Sequence, residues 1–199
     1  MVLPIVLYGD AVLRKKAASI PEMSDGLKEL IDNMFETMYQ AQGVGLAAPQ
    51  VGQSIRLFVI DAAPFAEDET EQTPELNALQ TFKKVFINAE CIKAYGTEWS
   101  FNEGCLSIPK LREDVMRPES IHLRYRDEHW NLHEEHFSGL QARIIQHEYD
   151  HIEGILFTDR ITAFKRKFLE GKLKAISKGL SLPDYKFKRP RKPWKIVCF

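Results

Sequence analysis

Between residues 146 and 154 the chain reads Gln-His-Glu-Tyr-Asp-His-Ile-Glu-Gly, and no other stretch constrains the fold as strongly. Residues four apart on a helix lie one above the other, so a helix here aims the imidazoles of His147 and His151 at a single point. That is metal-ligand spacing. Glu148, beside the first histidine, can reach a water at that point without binding the ion itself, which is the role of a general base in metal hydrolases. Upstream, Ser138 is placed to cap the helix, Leu140, Ile144 and Ile145 recur at helical spacing, and Gly154 is placed to end it, so both histidines are expected mid-helix. The same letters also describe an exposed amphipathic helix with incidental histidines, so the deciding residues have to come from elsewhere in the chain.

A catalytic site usually adds a third protein ligand and keeps one position open. One kind of zinc protease supplies a histidine six residues beyond the second, but that position is Phe157. Another takes a glutamate from a helix further downstream, where Glu170 is the only candidate and sits among lysines. The stronger candidate is upstream: Cys105, in Glu103-Gly-Cys-Leu-Ser107. On its own a free cysteine is more often a buried core thiol, and only the joint pattern favours a ligand.

With 199 residues, 44% of them hydrophobic, the chain can bury about 70% of its unfolded surface in one core without disulfide staples. Cysteines at 91, 105 and 198 are odd in number and widely spaced, which argues against a secreted disulfide framework and for a reducing, cytoplasmic setting. The apolar start is broken by Pro4 and lacks a basic leader, so it is not read as a signal peptide, and no apolar run is long enough for a membrane span. The net charge of −1 conceals a polarity. Residues 160–199 carry 13 Lys and Arg against 2 acids, leaving 14 basic and 26 acidic residues in 1–159, which sets a +11 end against a −12 body. Such asymmetry suggests docking to an anionic partner.

In chain order, Ser24 can cap a helix whose Leu27, Leu30, Ile31, Met34, Phe35 and Met38 form one apolar stripe, read as core. Gly43-Val-Gly-Leu-Ala-Ala-Pro-Gln-Val-Gly52 is a loop whose glycines allow close backbone approach to a ligand and whose only long polar side chain is Gln50. Its spacing matches neither phosphate-binding pattern, and no lysine follows. A strand is expected at 56–60. Residues 62–81 are acidic, contain two prolines and read as an exposed insertion loop without assigned function. Further strands are expected at 84–87 and 99–101, and Ile121, Leu123 and Tyr125 alternate toward a turn at 127–131 and a partner strand at 132–137. The fold class is α+β, mostly antiparallel strands around the histidine helix, with a C-terminal helix. Cys91 and Cys198 are read as structural, and His122, His129, His133 and His136 as hairpin residues that need no metal.

Taken in order, Gly43-Val-Gly-Leu-Ala-Ala-Pro-Gln50, Glu103-Gly-Cys-Leu-Ser107 and Gln146-His-Glu-Tyr-Asp-His151 resemble the three signature motifs of the peptide deformylases. The resemblance covers about Pro4 to Gly179. It implies removal of the formyl group from N-formylmethionine of nascent polypeptides with release of formate. It also implies Cys105, His147 and His151 as ligands, ferrous iron as the usual ion, Glu148 as general base and acid, and Gln50 with the Leu106 backbone N–H as the oxyanion groups. Gly45 joins the catalytic and the substrate-binding sets. Ligand chemistry alone suits zinc at least as well as iron.

The physical logic agrees with these roles. A bound divalent ion lowers the pKa of water toward about 7, and each oxyanion donor is typically worth about 2–4 kcal/mol. A methionine pocket is expected beside the histidine helix, since Leu140, Arg143 and Ile144 share the face of His147, with Val44 completing an apolar wall. Two other readings share part of the pattern. An internal metallopeptidase has no need of Cys105, and a structural metal site usually has four protein ligands and no glutamate base.

Two regions fall outside the resemblance. Residues 160–178 are expected to form an amphipathic helix with Ile161, Phe164, Phe168, Leu173 and Ile176 inward. Residues 1–180 make one catalytic domain, and 181–199, rich in proline and charge, form a flexible basic tail for which the RNA of the ribosome is the candidate partner.

Overall fold

The structure is a computed structural model describing residues 1–67 and 73–190. Its centre is a five-stranded sheet in the order β2 (Gly45–Ala47), β3 (Leu57–Asp61), β4 (Lys83–Cys105), β5 (Ile108–Arg126), β6 (Leu132–Ser138), antiparallel at every step. The run Leu-Phe-Val-Ile in β3 shows why both faces must be covered. Leu57 and Val59 pack with Leu27, Ile31, Met34 and Met38 of α1 (Asp25–Gln40). Phe58 and Ile60 point the other way, to Phe86, Phe137 and, from α4 (Gly139–Ile152), Ala142, Ile145 and Ile152. A strand buried on both faces has no place for an alternating polar residue, hence its continuous apolar run. The histidine helix α4 is therefore held against the sheet by its apolar residues.

Ser24 caps α1 as expected, its side chain accepting from Leu27 N. Ser138 occupies the cap position of α4 but makes no side-chain cap bond. Gly154 follows the helix end with φ 75°, where a Cβ would lie 2.7 Å from the Arg14 carbonyl oxygen. His147 is mid-helix, but His151 is the penultimate helical residue, so the expectation that both lie mid-helix holds only for the first.

β4 and β5 form one long hairpin with several register shifts, where the expected short strands at 84–87 and 99–101 are parts of a single strand. At its tip Cys105 pairs with Ile108, leaving Leu106 and Ser107 as a two-residue turn. Behind this tip a third apolar cluster joins Ile108, Leu111 and Val115 to Phe157 and to Leu169, Leu173 and Ile176 of α5 (Ala163–Ser177).

Three expectations are corrected. The stretch 62–81 carries two short helices, α2 (Ala63–Glu67) and α3 (Pro74–Gln80), whose Ala66 and Leu79 are buried in the core, with 68–72 outside the described residues. In α5, Phe164 and Phe168 face outward, 72% and 69% exposed, stacked edge-on against each other, while Leu169 takes the buried place. The basic terminal segment, as far as it is described, packs against the domain. Its β7 (Phe187–Lys188) pairs in parallel with β1 (Ile5–Val6), and Leu182 and Phe187 pack on the third cluster. The remainder of the expected tail, with Cys198, lies outside the described residues. No helix among the described residues is long and apolar enough to cross a membrane.

Candidate metal centre and active site

The hairpin tip and α4 bring Cys105, His147 and His151 together, with one donor atom from each within 4.8 Å of the others, and no other such group occurs among the described residues. Cys105 Sγ lies 3.3 Å from His151 Nε2. Bonds of about 2.3 Å to sulfur and 2.0 Å to nitrogen, at a near-tetrahedral angle, leave a donor separation within a few tenths of an ångström of this. Cys105 is a free thiol, and the hairpin histidines 122, 129, 133 and 136 are not part of this group.

What orients the first imidazole is Glu103, two residues before the cysteine on β4. Its Oε2 lies 2.9 Å from His147 Nδ1, so Nδ1 donates and Nε2 is left for the cluster. The same carboxylate accepts from Arg117 Nε at 2.7 Å and Nη2 at 2.9 Å and from Arg143 Nη1 at 3.0 Å. Arg117 continues to Asp150 of α4 at 2.6 Å, and Asp150 accepts from Arg160 Nε at 2.6 Å. This buried network ties β4 and β5 to the helix and fixes the distance between the cysteine and the two histidines. Against the opposing effect of burial, Arg117 and His147 hold the Glu103 carboxyl far below the ordinary range. Burial opposes charge on His147 too, but Cys105 and Glu103 raise it well above the usual value. The Glu103 carboxylate thus draws positive charge to this point, be it a proton or a metal ion. Burial first, then the charge on His147, pushes His151 well below its ordinary value, toward the neutral imidazole that ligation requires.

Glu148 is buried at 4% exposure, and its Oε2 makes no hydrogen bond within the described protein. Burial pushes its carboxyl up to about 7, against the pull of His147. A carboxyl titrating there can both take and return a proton near neutral pH. Gly45 explains how the carboxylate is seated, because a Cβ at that position would lie 2.5 Å from Glu148 Oε1. Gln50 is fixed by its own loop. Its Oε1 accepts from Ala47 N at 2.8 Å, which turns Nε2 toward Cys105 Sγ (3.6 Å) and Ser107 Oγ (3.4 Å).

A cleft of about 600 Å³ opens over these groups and is lined by Val44, Gly45, Gln50, Ile144, His147 and Glu148 among others. Two residues expected in the substrate pocket behave differently. Leu140 packs on the core cluster and does not line the cleft. Arg143 lines it, but the guanidinium is committed to Glu103, to the Val115 carbonyl at 3.0 Å and to the Trp99 carbonyl at 2.7 Å, and it lies over the Trp99 ring. A cation that shares the helix face of His147 but has a buried anion within reach pairs with the anion.

Sequence reasoning missed four contributors. Glu103 stands inside a motif, so its proximity to Cys105 was a usable signal. Phe65 from α2 and Phe101 from β4 wall the cleft with rings 6.3 Å apart. Tyr185, from the segment expected to be flexible, also lines it, and its hydroxyl donates to the Leu106 carbonyl. Nothing local to residues 183–188 marks that contact, which depends on the distant pairing of β7 with β1.

Against known proteins, the sequence profile of a family described as polypeptide deformylase matches residues 2–167. A peptide deformylase of Christiangramia forsetii is 55% identical over 190 residues, covering 96% of this chain and 97% of the relative. One from Flavobacterium psychrophilum is 56% identical over 188 residues, covering 94% and 97%. The fold is similar to the crystal structure of a peptide deformylase from Legionella pneumophila, with a TM-score of 0.74 at 36% identity over 89% of this chain and 96% of that one.

Proposed function

This chain belongs to the polypeptide deformylase family, and we propose from that premise that it hydrolyses the N-formyl group of N-formylmethionyl nascent polypeptides and releases formate. The observation that carries the reading is a buried, unpartnered carboxyl oxygen on Glu148 beside a Cys-His-His donor set. A metal ion at Cys105, His147 and His151 would supply a water acidic enough to lose its proton near neutral pH. Glu148 takes that proton and returns it to the departing amine. The Gln50 amide, locked by Ala47, and the Leu106 N–H donate to the oxygen on which charge develops. Val44 and Ile144 form the apolar wall for the methionine side chain, together with Phe65 and Phe101, which line the same cleft.

We assign ferrous iron to the site, as the resemblance implies, with zinc able to replace it. The donor set suits both. A free cysteine in the donor set supports a reducing, cytoplasmic setting. The ribosome remains the proposed docking partner, but the face is revised from a loose tail to α5, whose exposed Phe164 and Phe168 sit among Lys167, Lys172 and Lys174. Salt-dependent co-sedimentation that Lys167→Glu with Lys172→Glu leaves unchanged would remove α5 from that role.

The test of the activity is formate release from a short formylmethionyl peptide, with metal content measured on the same sample. Cys105→Ala should lose the metal. Glu148→Ala should keep it and lose most turnover, and near wild-type turnover by that variant refutes the mechanism. Anaerobically prepared iron enzyme should lose activity in air faster than the zinc form, and equal lifetimes would count against iron.

A further inference from the structure

The two-residue turn that carries Leu106 has both of its carbonyls anchored, one by each end of the chain. Ser107 O accepts from Tyr8 N at 2.8 Å, just after β1. Leu106 O accepts from the hydroxyl of Tyr185, just before β7. These two anchors are themselves tied, because β1 and β7 pair in parallel, Ile5 N donates to Lys186 O at 2.9 Å and Lys186 Nζ donates to Val2 O at 2.8 Å. A turn carbonyl lies outside the strand ladder and needs a donor from elsewhere. Tyr185 supplies it while its ring lines the cleft beside Cys105 and Leu106.

We infer that Tyr185 is a positioning residue for the hydrolysis: its hydroxyl fixes the Leu106 carbonyl and so the direction of the Leu106 N–H. The inference rests on the proposed role of that N–H toward the developing oxyanion. The carbonyl and the N–H of Leu106 belong to two rigid peptide planes that meet at one Cα; Cys105 pairs with Ile108 on the preceding side, and holding the Leu106 carbonyl restrains the following one. An oxyanion donor acts through preorganisation, and a donor that swings loses its advantage in the transition state more than in the bound substrate.

Tyr185→Phe keeps the ring and removes only the hydroxyl. The expected result is a fall in kcat of about three- to tenfold, the range a single neutral hydrogen bond spans, with KM and metal content within twofold of wild type. Lys186→Ala serves as the control, because it loosens the same strap at Val2 without touching Leu106, and should leave kcat unchanged. Gln50→Ala reports on the oxyanion reading itself. If Tyr185→Phe matches wild type while Gln50→Ala is impaired, the role of Tyr185 is refuted and the oxyanion reading stands. An equal loss of kcat in Lys186→Ala and Tyr185→Phe reduces Tyr185 to a structural contact and also refutes it. If Gln50→Ala keeps full kcat, the oxyanion reading fails and takes the inference with it.

Discussion

Gly45→Ala is the smallest change that should disable the site without touching a ligand. The added Cβ would lie 2.5 Å from Glu148 Oε1, 2.8 Å from Cδ and 2.9 Å from Cγ. Ordinary carbon–oxygen contacts of this kind run about 3.3–3.6 Å, so the overlap is close to ~1 Å. The backbone on either side has little room to give, since Gly45 pairs with Ile60 in the sheet and Glu148 sits inside α4. The carboxylate must therefore move by roughly that ångström, and a misplacement of this size costs on the order of 100-fold in rate. Formate release should fall by that factor with KM nearly unchanged. Metal content should equal wild type, and stability should drop by about 1–3 kcal/mol from overpacking. Gly26→Ala is the matched control, because nothing lies within 4 Å of its Cβ. It should leave kcat alone and raise stability by up to about 1 kcal/mol. Turnover by Gly45→Ala within threefold of wild type, at equal metal content, would show that Glu148 is not seated by this contact.

Glu103→Gln leaves Arg143 buried without its anion and Arg117 with Asp150 alone, and should lower stability in urea by about 3–5 kcal/mol and weaken metal binding about 10–100-fold through His147. An unchanged urea midpoint would show the network to be dispensable. Ile144→Ala should raise KM for formylmethionyl peptides at least several-fold, since even one methylene in an apolar pocket is worth about 1–3 kcal/mol, while metal content stays the same. An unchanged KM moves the pocket elsewhere. Asp127, in the β5–β6 turn, is held down to about 2 against the effect of burial by hydrogen bonds from His133, Asn131 and His129. Its folded value lies below the unfolded one near ~4, so its contribution is complete above that pH and is lost as pH falls toward about 2, amounting to ~2 kcal/mol at most. Acid titration of stability should show this component in wild type and not in Asp127→Asn; identical curves would refute it.

The geometry of the donor group was legible where it depends on local spacing. His147 and His151 are four apart, Glu148 is between them, and a helix places all three whatever surrounds it. Cys105 was legible through its motif, because the tip of a tight hairpin carries its neighbours with it. Arg143 lines the cleft as its place on the helix face implies, but spacing tells which side a residue occupies and not which partner competes for its charge. Phe164 and Phe168 fit the inward stripe of α5 by period alone, yet Leu169 fills the buried place and leaves them to solvent. In 62–81 the acidic composition hid Ala66 and Leu79, buried residues that with Phe65 and Leu76 seat the short helices on the core. Tyr185 was illegible because its partner is 79 residues away, across a pairing of the two ends of the chain.

That pairing has a consequence for when the molecule becomes an enzyme. β1 and β7 join residues 5 and 187, almost the longest loop this chain can close, and long-range contacts come late because their closure entropy must be offset by structure already formed. The sheet and α4 carry the three donor side chains and Glu148, all of them made before residue 152. The Leu106 turn gains its second anchor only when residue 185 has emerged and β7 has docked beside β1. During synthesis the turn is therefore braced on this second side only after the donor residues and Glu148 have already been made.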